Sequence, residues 1–382
     1  MILLEKIKIV FILHKLLCGG AEQALYDLLC LMDKTKFDIT IVTTVDGGEW
    51  EDKFKNLGFP VFNIFYKRQK KDPVSFLKHQ LRKLWVEWIL RWNPRRFLSY
   101  ILPEDVDITV SYSIWKYEDI ALAYNTKHVK FIHANIKSNE GFRRSTMKIA
   151  HLLPAFHRII CVSDESFIAF KQVTGLQDNV EMHFNPLNSE NVCRMAEAPL
   201  DISGEIPYIC AVGRLAPEKG YDRLIRIHRR LLDEGLMHRL VIVGDGPEKE
   251  KLQQTIRETE TEESVILTGY QANPYPYMKN SRFLVCSSFT EGLPVIAMEA
   301  LTLGVTIVSA VPSIGEVFGE ECCGIITEND DGSLEHGIRK MLEDTVFYET
   351  AKHGAEKRSA FFDGNRMVKE IENVFFELME GK

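Results

Sequence analysis

Short apolar runs rich in β-branched residues recur along the whole chain and predict strands. The runs are KIKIVFIL, FDITIVTT, PVFNIF, VDITVSY, VKFIHA and RIICVS in the first half, then YICAVG, RLVIVGDG, VILTGY, RFLVCSS and VTIVSA. Apolar residues at helical spacing lie between many of these runs. Continuous apolar strands that alternate with helices form parallel sheets covered on both faces. Two successive sets therefore predict an α/β protein with two doubly wound, Rossmann-like domains.

The stretch after residue 185 is rich in Pro, Asn and Ser and has no sustained periodicity, which predicts a break between the domains. The predicted parts are an N-terminal domain over 1–186, a linker over 187–205, a C-terminal domain over 206–362 and a closing helix over 363–382 that packs back on the N-terminal domain. Ligands of open parallel sheets bind beyond the carboxyl ends of the strands. Two such domains facing each other would hold a ligand in a cleft.

Composition narrows the classes of protein that fit this pattern. A length of 382 residues exceeds what one hydrophobic core supports, and a formal net charge of -7 argues against nucleic acid as the main partner. The eight cysteines form no CxxC pair or metal-ligand spacing, which favours reduced thiols in a cytoplasmic protein. Charged residues interrupt the apolar N-terminus, and no apolar run reaches the roughly 18 residues of a membrane span.

Two adjacent glycines, Gly19 and Gly20, follow the first predicted strand and precede a helical pattern. Glycines let the backbone approach a ligand closely, and the free amides of a helix N-terminus attract anions. This turn fits a phosphate, although a tight turn without a ligand would need the same residues.

Cations and carboxylates follow two strands of the second half. In VGRLAPEKG, Arg214 comes just after a strand and Lys219 lies five residues further on. Together they could neutralise a diphosphate, the alternative being that both are solvated surface charges. In FTEGLPVIAMEA, Glu291 lies in a loop, Pro294 fits the first turn of a helix and Glu299 the second. This segment is thus predicted to place carboxylates that can bind hydroxyl groups beside backbone amides that can bind phosphate.

These segments, in their order and spacing, resemble the retaining GT-B glycosyltransferases of group 1 (family 4-like), which include capsule, lipopolysaccharide and mannosyl-lipid transferases. The matching pieces are GGAEQ at Gly19, FIHANI around His133, ICVS at Ser163, FNPL at Asn185, VGRLAPEKG at Val212, IVGDGP at Ile242, LTGY at Leu267 and EGLPVIAMEA at Glu291. The resemblance covers nearly the whole chain and implies the GT-B fold.

The resemblance also implies a role for each matched residue. Arg214 and Lys219 would bind the donor diphosphate, Glu299 the ribose hydroxyls, and Glu291 would lie beside the transferred sugar. His133 would orient the hydroxyl groups of that sugar. The remaining donor-binding positions are Gly19, Gly20, Gly244, Thr268, Tyr270, Gln271, Gly292, Leu293 and Pro294, of which 268–271 would pack on the nucleobase. Gly244 could equally be part of a simple strand-to-helix turn.

The function implied is retaining transfer of a hexose or N-acetylhexosamine from a nucleotide diphosphate sugar, with UDP as the expected carrier. The acceptor would be a lipid-linked or surface-polysaccharide glycan. No cofactor or metal is expected, because no Asp-x-Asp motif follows a strand and the cations can stabilise the leaving group. A catalytically silent nucleotide-sugar-binding partner of a transferase complex and a GT-B epimerase are the alternatives.

A basic, tryptophan-rich stretch lies between Lys67 and Tyr100. Its cations are Lys67, Arg68, Lys70, Lys71, Lys78, Arg82, Lys83, Arg91, Arg95 and Arg96, against the two acidic residues Asp72 and Glu87. Leu77, Leu81, Leu84, Trp85, Trp88 and Trp92 can share one helical face. The pattern predicts docking on the anionic inner face of the cell membrane, the alternative being a helix packed on its own domain.

Overall fold

The computed structural model describes residues 5–17, 19–65, 84–85, 88–89, 92, 105–112, 118–133, 136–137, 140–200, 202, 206–291 and 293–381. The chain divides into two compact units. The first comprises Met1–Pro186 with Asn365–Lys382, and the second comprises Leu187–Gly364.

The first unit is built on a parallel sheet of seven strands among the described residues. The strands are β1 (Ile7–Leu13), β2 (Phe37–Val45), β3 (Val61–Phe65), β4 (Ile108–Tyr112), β5 (Lys127–Ile132), β6 (Arg158–Cys161) and β7 (Val180–Met182), in the order β3-β2-β1-β4-β5-β6-β7. The helices are Gly20–Leu31, Glu51–Lys55, Glu118–Leu122, Glu140–Ile149, Asp164–Thr174 and Gly364–Glu380, with a 3₁₀ turn at Leu153–Ala155.

The second unit has a parallel sheet of six strands in the part of the chain that is described. They are β8 (Tyr208–Val212), β9 (Arg239–Val243), β10 (Val265–Leu267), β11 (Leu284–Cys286), β12 (Ile307–Ser309) and β13 (Gly324–Ile326), in the order β10-β9-β8-β11-β12-β13. The helices are Ser189–Ala196, Tyr221–Asp233, Lys249–Glu258, Tyr275–Lys279, Val295–Thr302, Ile314–Phe318, Asp331–Glu343 and Thr345–Ser359, with a 3₁₀ turn at Pro217–Lys219.

Each sheet reverses its strand order once, between β1 and β4 in the first unit and between β8 and β11 in the second. At such a switch point the loops leaving the two central strands turn to opposite faces of the sheet, which opens a crevice at the carboxyl edge. In the second unit, the loops after β8 and β11 are the ones that carry Lys219 and Glu291.

The closing helix Gly364–Glu380 packs on the first unit, which includes Asn365–Lys382. Phe375 is fully buried and meets Phe11 and Phe37 edge-on, with ring centroids 6.4 and 6.1 Å away. Such aromatic contacts add about 0.5–1.5 kcal/mol each to the burial of the rings. The last segment of the chain therefore completes the core of the N-terminal unit.

Three local features differ from the sequence-based expectation. Two strands were missed, β7 and β13, and each is a three-residue edge strand. The stretch 187–205, expected to be an irregular linker, contains the helix Ser189–Ala196, which the Asn188 side chain caps. This helix is assigned to the second unit, so that unit begins at Leu187.

Candidate functional site: the carboxyl edge of the second sheet

The loop after β8 places Lys219 at the end of a 3₁₀ turn, next to Gly220. Gly220 has φ 62° and ψ 32°, and a Cβ there would come within 2.5 Å of the Ser287 carbonyl oxygen. A larger residue would therefore be strained and would push the loops after β8 and β11 apart. The glycine lets these two loops touch at the switch point.

The loop after β11 is tied to the β8 loop through main-chain groups. The Ser287 hydroxyl donates to the Lys219 carbonyl at 2.8 Å, and the Phe289 amide donates to the Glu218 carbonyl at 2.8 Å. Both contacts join residues about 70 positions apart in the chain. They hold the two loops in one relative arrangement.

Lys219 and Glu291 form an ion pair across these loops. The Lys219 Nζ lies 2.5 Å from Glu291 Oε1, and the Ser288 hydroxyl donates to the same oxygen at 2.7 Å. The two charged side chains are only 22% and 19% exposed. Partial burial strengthens such charge-assisted contacts, so Glu291 is held as an acceptor and Lys219 as a donor at one point.

Arg214 does not share this contact. Its guanidinium donates to Glu218 at 2.7 Å, and its side chain is 65% exposed. The two cations predicted to act together thus have separate carboxylate partners, although their loop brings both to the same edge of the sheet.

Sequence reasoning missed Arg223, on the helix Tyr221–Asp233. The residue is 4% exposed, and its guanidinium donates to the carbonyls of Ser287 and Ser288 and to Asn329 Oδ1, at 2.5 to 3.1 Å. It also lies over the Phe289 ring, 4.1 Å from the centroid. Helical spacing places Arg223 on the same face as the buried Ile227, and this charge on an apolar face was the available signal.

Glu299 lies in the second turn of the helix Val295–Thr302, as predicted, and Pro294 immediately precedes that helix. Glu299 is 6% exposed, and its Oε1 accepts a hydrogen bond of 2.9 Å from the Tyr275 hydroxyl. Leu293 is buried beside it, and Gly292 lies outside the described residues. Tyr275 fixes the direction of the carboxylate.

The loop after β9 packs against the β8 loop and is hydrogen-bonded to the loop after β10. A Cβ on Gly244, whose φ is 151°, would lie 1.9 Å from the Gly213 carbonyl oxygen, and the Gly244 amide donates to Gly269 at 3.0 Å. The absence of a side chain at Gly244 therefore lets the loop after β9 approach the loop after β8 closely.

The loop after β10 carries the residues expected to meet a nucleobase. The Thr268 hydroxyl donates to the Gly269 carbonyl at 2.9 Å, and the Gln271 amide donates to the Thr268 carbonyl at 3.2 Å. Tyr270 is 57% exposed. The loop is shaped by its own polar side chains and presents the tyrosine ring outward.

In the first unit, His133 directly follows β5. Both of its ring nitrogens are buried and have no hydrogen-bond partner among the described residues, and the same is true of the Tyr112 hydroxyl and Asn185 Oδ1. The His133 ring lies 4.4 Å from the Tyr112 ring and is stacked on Phe131. Burial, with a smaller contribution from Lys130, lowers the pKa of His133 to about 3. A neutral imidazole beside Asn185 is suited to hydrogen-bond a ligand hydroxyl through a ring nitrogen.

Gly19 and Gly20 form the expected turn, and Gly20 begins the helix Gly20–Leu31. A Cβ on Gly19 would meet the Glu22 carboxylate at 2.6 Å. Burial raises the pKa of Glu22. An anion bound at this turn would therefore have to displace a carboxyl group.

The comparisons with known proteins agree with this architecture. Residues 196–358 match the family model described as glycosyl transferases group 1. The solved structure of Anabaena HepE in complex with UDP and glucose superposes over 97% of this chain and 100% of that chain, with a TM-score of 0.77 and 19% identity. The second unit, which contains all of the residues that match the family model, is therefore similar to the group 1 glycosyltransferases. The predicted GT-B fold is confirmed by this structural neighbour and by the two parallel sheets.

Two curated proteins that are similar to this chain are named for what they act on. One is the N-acetylgalactosamine-N,N'-diacetylbacillosaminyl-diphospho-undecaprenol 4-alpha-N-acetylgalactosaminyltransferase of Campylobacter jejuni, 32% identical over 50% of this chain. The matched part is about half of that relative, 52% of its length. The other is the lipopolysaccharide core biosynthesis glycosyltransferase LpsD of Rhizobium meliloti, 23% identical over 77% of this chain and 80% of that protein.

Most of the basic stretch, including all of its cations, lies outside the described residues. The described positions are Leu84, Trp85, Trp88, Ile89 and Trp92, all of which are helical. Leu84, Trp85 and Trp88 are 56–60% exposed and Trp92 is 74% exposed, so much of each side chain remains open to solvent. Within the described part of the chain, no helix is long and apolar enough to cross a bilayer.

Proposed function

We propose that the protein transfers a hexose or N-acetylhexosamine from a UDP-sugar to a lipid-linked or surface-glycan acceptor, with retention of configuration and without a metal. The ion pair between Lys219 and Glu291 at the switch point carries this proposal, because it holds a cation and a carboxylate where a strand-edge ligand binds. The UDP and glucose bound by HepE, and the undecaprenol-linked and lipopolysaccharide substrates in the relatives' names, support the donor and acceptor classes.

In this proposal the second unit supplies the charge balance. Lys219 and the exposed Arg214 offset the negative charge that develops on the departing diphosphate, a role that a divalent metal has in other enzymes. A diphosphate oxygen that takes the Lys219 ammonium leaves Glu291 free to accept from a sugar hydroxyl. The buried Glu299, oriented by Tyr275, accepts from the ribose hydroxyls.

Retention in this proposal needs no protein nucleophile. Glu291 accepts from a donor hydroxyl, and the leaving diphosphate itself takes the acceptor proton on the face from which it departs. The Campylobacter relative is named as a 4-alpha transferase. An α-linked product is what an α-linked nucleotide sugar yields with retention. In the first unit, neutral His133 serves as a hydrogen-bonding group for a hydroxyl rather than as a general base.

The function is tested by incubating the purified protein with UDP-sugars. We expect slow release of UDP from one of them without an acceptor, at a rate that EDTA does not change. UDP at 100 times its Kd should stabilise the second unit by about 2.7 kcal/mol, which for a unit of that size is a rise in Tm of about 5–10 °C. A silent binding partner would show the thermal shift without UDP release. An epimerase would interconvert UDP-sugars, and loss of activity in EDTA would refute metal independence.

We further propose that the stretch 67–100 docks the enzyme on an anionic membrane surface. The exposed Trp85, Trp88 and Trp92 support this, because tryptophans concentrate at membrane interfaces, where their rings bury apolar area beside the headgroups. Each nearby cation adds about 1 kcal/mol on an acidic surface. The sequence excess of ten cations over two acids would make the attraction strong at low salt.

Vesicle sedimentation tests the docking surface. The intact protein should sediment with vesicles that contain acidic lipids at low salt and be released as salt screens the charges. Replacing Trp85, Trp88 and Trp92 together with alanine should abolish most of this binding. Val346→Ala, at an equally exposed apolar position of the second unit, is the control and should bind like the wild type. Equal binding to neutral vesicles, or none at low salt, would count against the proposal.

A further inference from the structure

Phe289, two residues before Glu291, is an exposed aromatic side chain that the structure holds firmly. It is 52% exposed. Its amide donates to the Glu218 carbonyl at 2.8 Å, and its own carbonyl accepts from Asn329 Nδ2 at 2.9 Å. Single exposed apolar residues are common and need no explanation. Phe289 differs from such residues because hydrogen bonds hold its backbone on both sides of an exposed ring.

The ring itself is also fixed in place. The guanidinium of the buried Arg223 lies 4.1 Å from the ring centroid, a cation-π contact that holds the ring from one side. The ring edge lies 3.4 Å from where a Cβ on Gly220 would be, so the ring reaches over the loop that carries Lys219. Phe289 therefore borders the pair formed by Lys219 and Glu291, with more than half of its surface still open.

The strand order separates Phe289 from the other exposed aromatic residue of this edge. Tyr270 follows β10, Lys219 follows β8 and Phe289 follows β11, in a sheet ordered β10-β9-β8-β11. Three strand spacings of about 4.8 Å separate the two aromatic positions by about 14 Å, with the lysine between them. An elongated ligand lying along the edge would meet Tyr270 at one end, the cation in the middle and Phe289 at the other end.

We propose that Phe289 is a stacking platform for the apolar C–H face of a pyranose ring, and thus a substrate-contacting residue of this site. Since Arg223 and the two backbone hydrogen bonds already immobilise the ring, stacking a sugar on it costs little side-chain entropy. The inference rests on the proposed function. The pyranose belongs either to the donor sugar or to the acceptor glycan, since both offer the same C–H face.

The donor source is tested by calorimetry with UDP and with the UDP-sugar that the wild type hydrolyses. In Phe289→Ala, the affinity for the UDP-sugar relative to UDP should fall about fivefold, the size of one aromatic contact, while the affinity for UDP alone is unchanged. Phe289→Trp should restore the ratio, and Phe289→Leu, which is apolar but lacks a π face, should not. Met237→Ala, at another exposed apolar position of the same unit, is the matched control and should not change the ratio.

The acceptor source is tested by saturation-transfer NMR with methyl α-glucoside and methyl α-N-acetylgalactosaminide in the presence of saturating UDP. If Phe289→Ala loses saturation transfer to the sugar C–H protons while its affinity for the UDP-sugar relative to UDP is unchanged, Phe289 stacks on the acceptor sugar. Wild-type behaviour of Phe289→Ala or Phe289→Leu in both experiments overturns the inference while nucleotide binding and hydrolysis persist. A wild type that binds no nucleotide overturns the proposed function and this inference together.

Discussion

Replacing Lys219 with alanine is expected to lower kcat about 100- to 1,000-fold, the usual cost of removing one preorganised donor from a site where negative charge develops. The side chain is 22% exposed and bonded to Glu291, so its ammonium is held in place before the reaction begins. Steady-state rates of UDP release with the UDP-sugar that proves active would measure the loss. Glu299→Ala should also lower turnover strongly, through loss of the ribose contact.

Two further variants separate chemistry from folding. Lys249→Ala removes a lysine of the same unit that is 43% exposed and pairs with Asp245 at 3.4 Å, and it should keep the wild-type rate. Lys219→Arg keeps the charge but changes its geometry, and its rate should lie between those of wild type and alanine. Wild-type rates in folded Lys219→Ala and Glu299→Ala would refute the site.

Replacing Lys130 with methionine is expected to lower the free energy of unfolding of the first unit by about 3–5 kcal/mol. Lys130 on β5 and Glu118 are both fully buried, with Nζ and Oε1 2.8 Å apart. The Ser111 hydroxyl donates to the other oxygen of Glu118. Removing the lysine leaves a buried carboxylate whose main partner is gone. Urea unfolding followed by circular dichroism measures the loss as a lower midpoint.

The double variant Lys130→Met with Glu118→Leu should recover much of that loss, because two apolar side chains of similar size bury no charge. Arg366→Ala breaks a pair in the same unit whose two side chains are more than 40% exposed, and it should cost less than 1 kcal/mol. A Lys130→Met variant as stable as Arg366→Ala would show that the buried pair does not stabilise the unit.

The central strands could be read from sequence because each is an apolar run that a sheet covered on both faces requires. The edge strands β7 and β13 could not, since three residues that pair on one side show no period of their own. The helix Ser189–Ala196 was missed because polar residues dominate it, although Asn188 is an ordinary cap. The closing helix was predicted, since six apolar residues at helical spacing must be buried somewhere.

For the site residues, the sequence predicted the loop or helix in which each one lies but not which side chains form pairs. Glu291 and Glu299 were placed in a loop and in the second turn of a helix, where the structure has them. The sequence could not predict whether Lys219 pairs with Glu218, the partner of Arg214, or with Glu291, because the answer depends on two loops about 70 residues apart. Likewise, the position of the Glu22 carboxylate at the Gly19 turn depends on the direction of its side chain, which local spacing does not specify.

Local periodicity and residue order were enough to predict two doubly wound domains, the resemblance to group 1 glycosyltransferases and the loops that carry charge. The three-dimensional arrangement was needed to show that Glu291 meets Lys219, that Arg223 holds the loop after β11, and that Phe289 and the tryptophans are exposed. Those outcomes depend on which strands become neighbours at the switch point. That neighbour relation sets every contact between distant loops, and no local property of the chain encodes it.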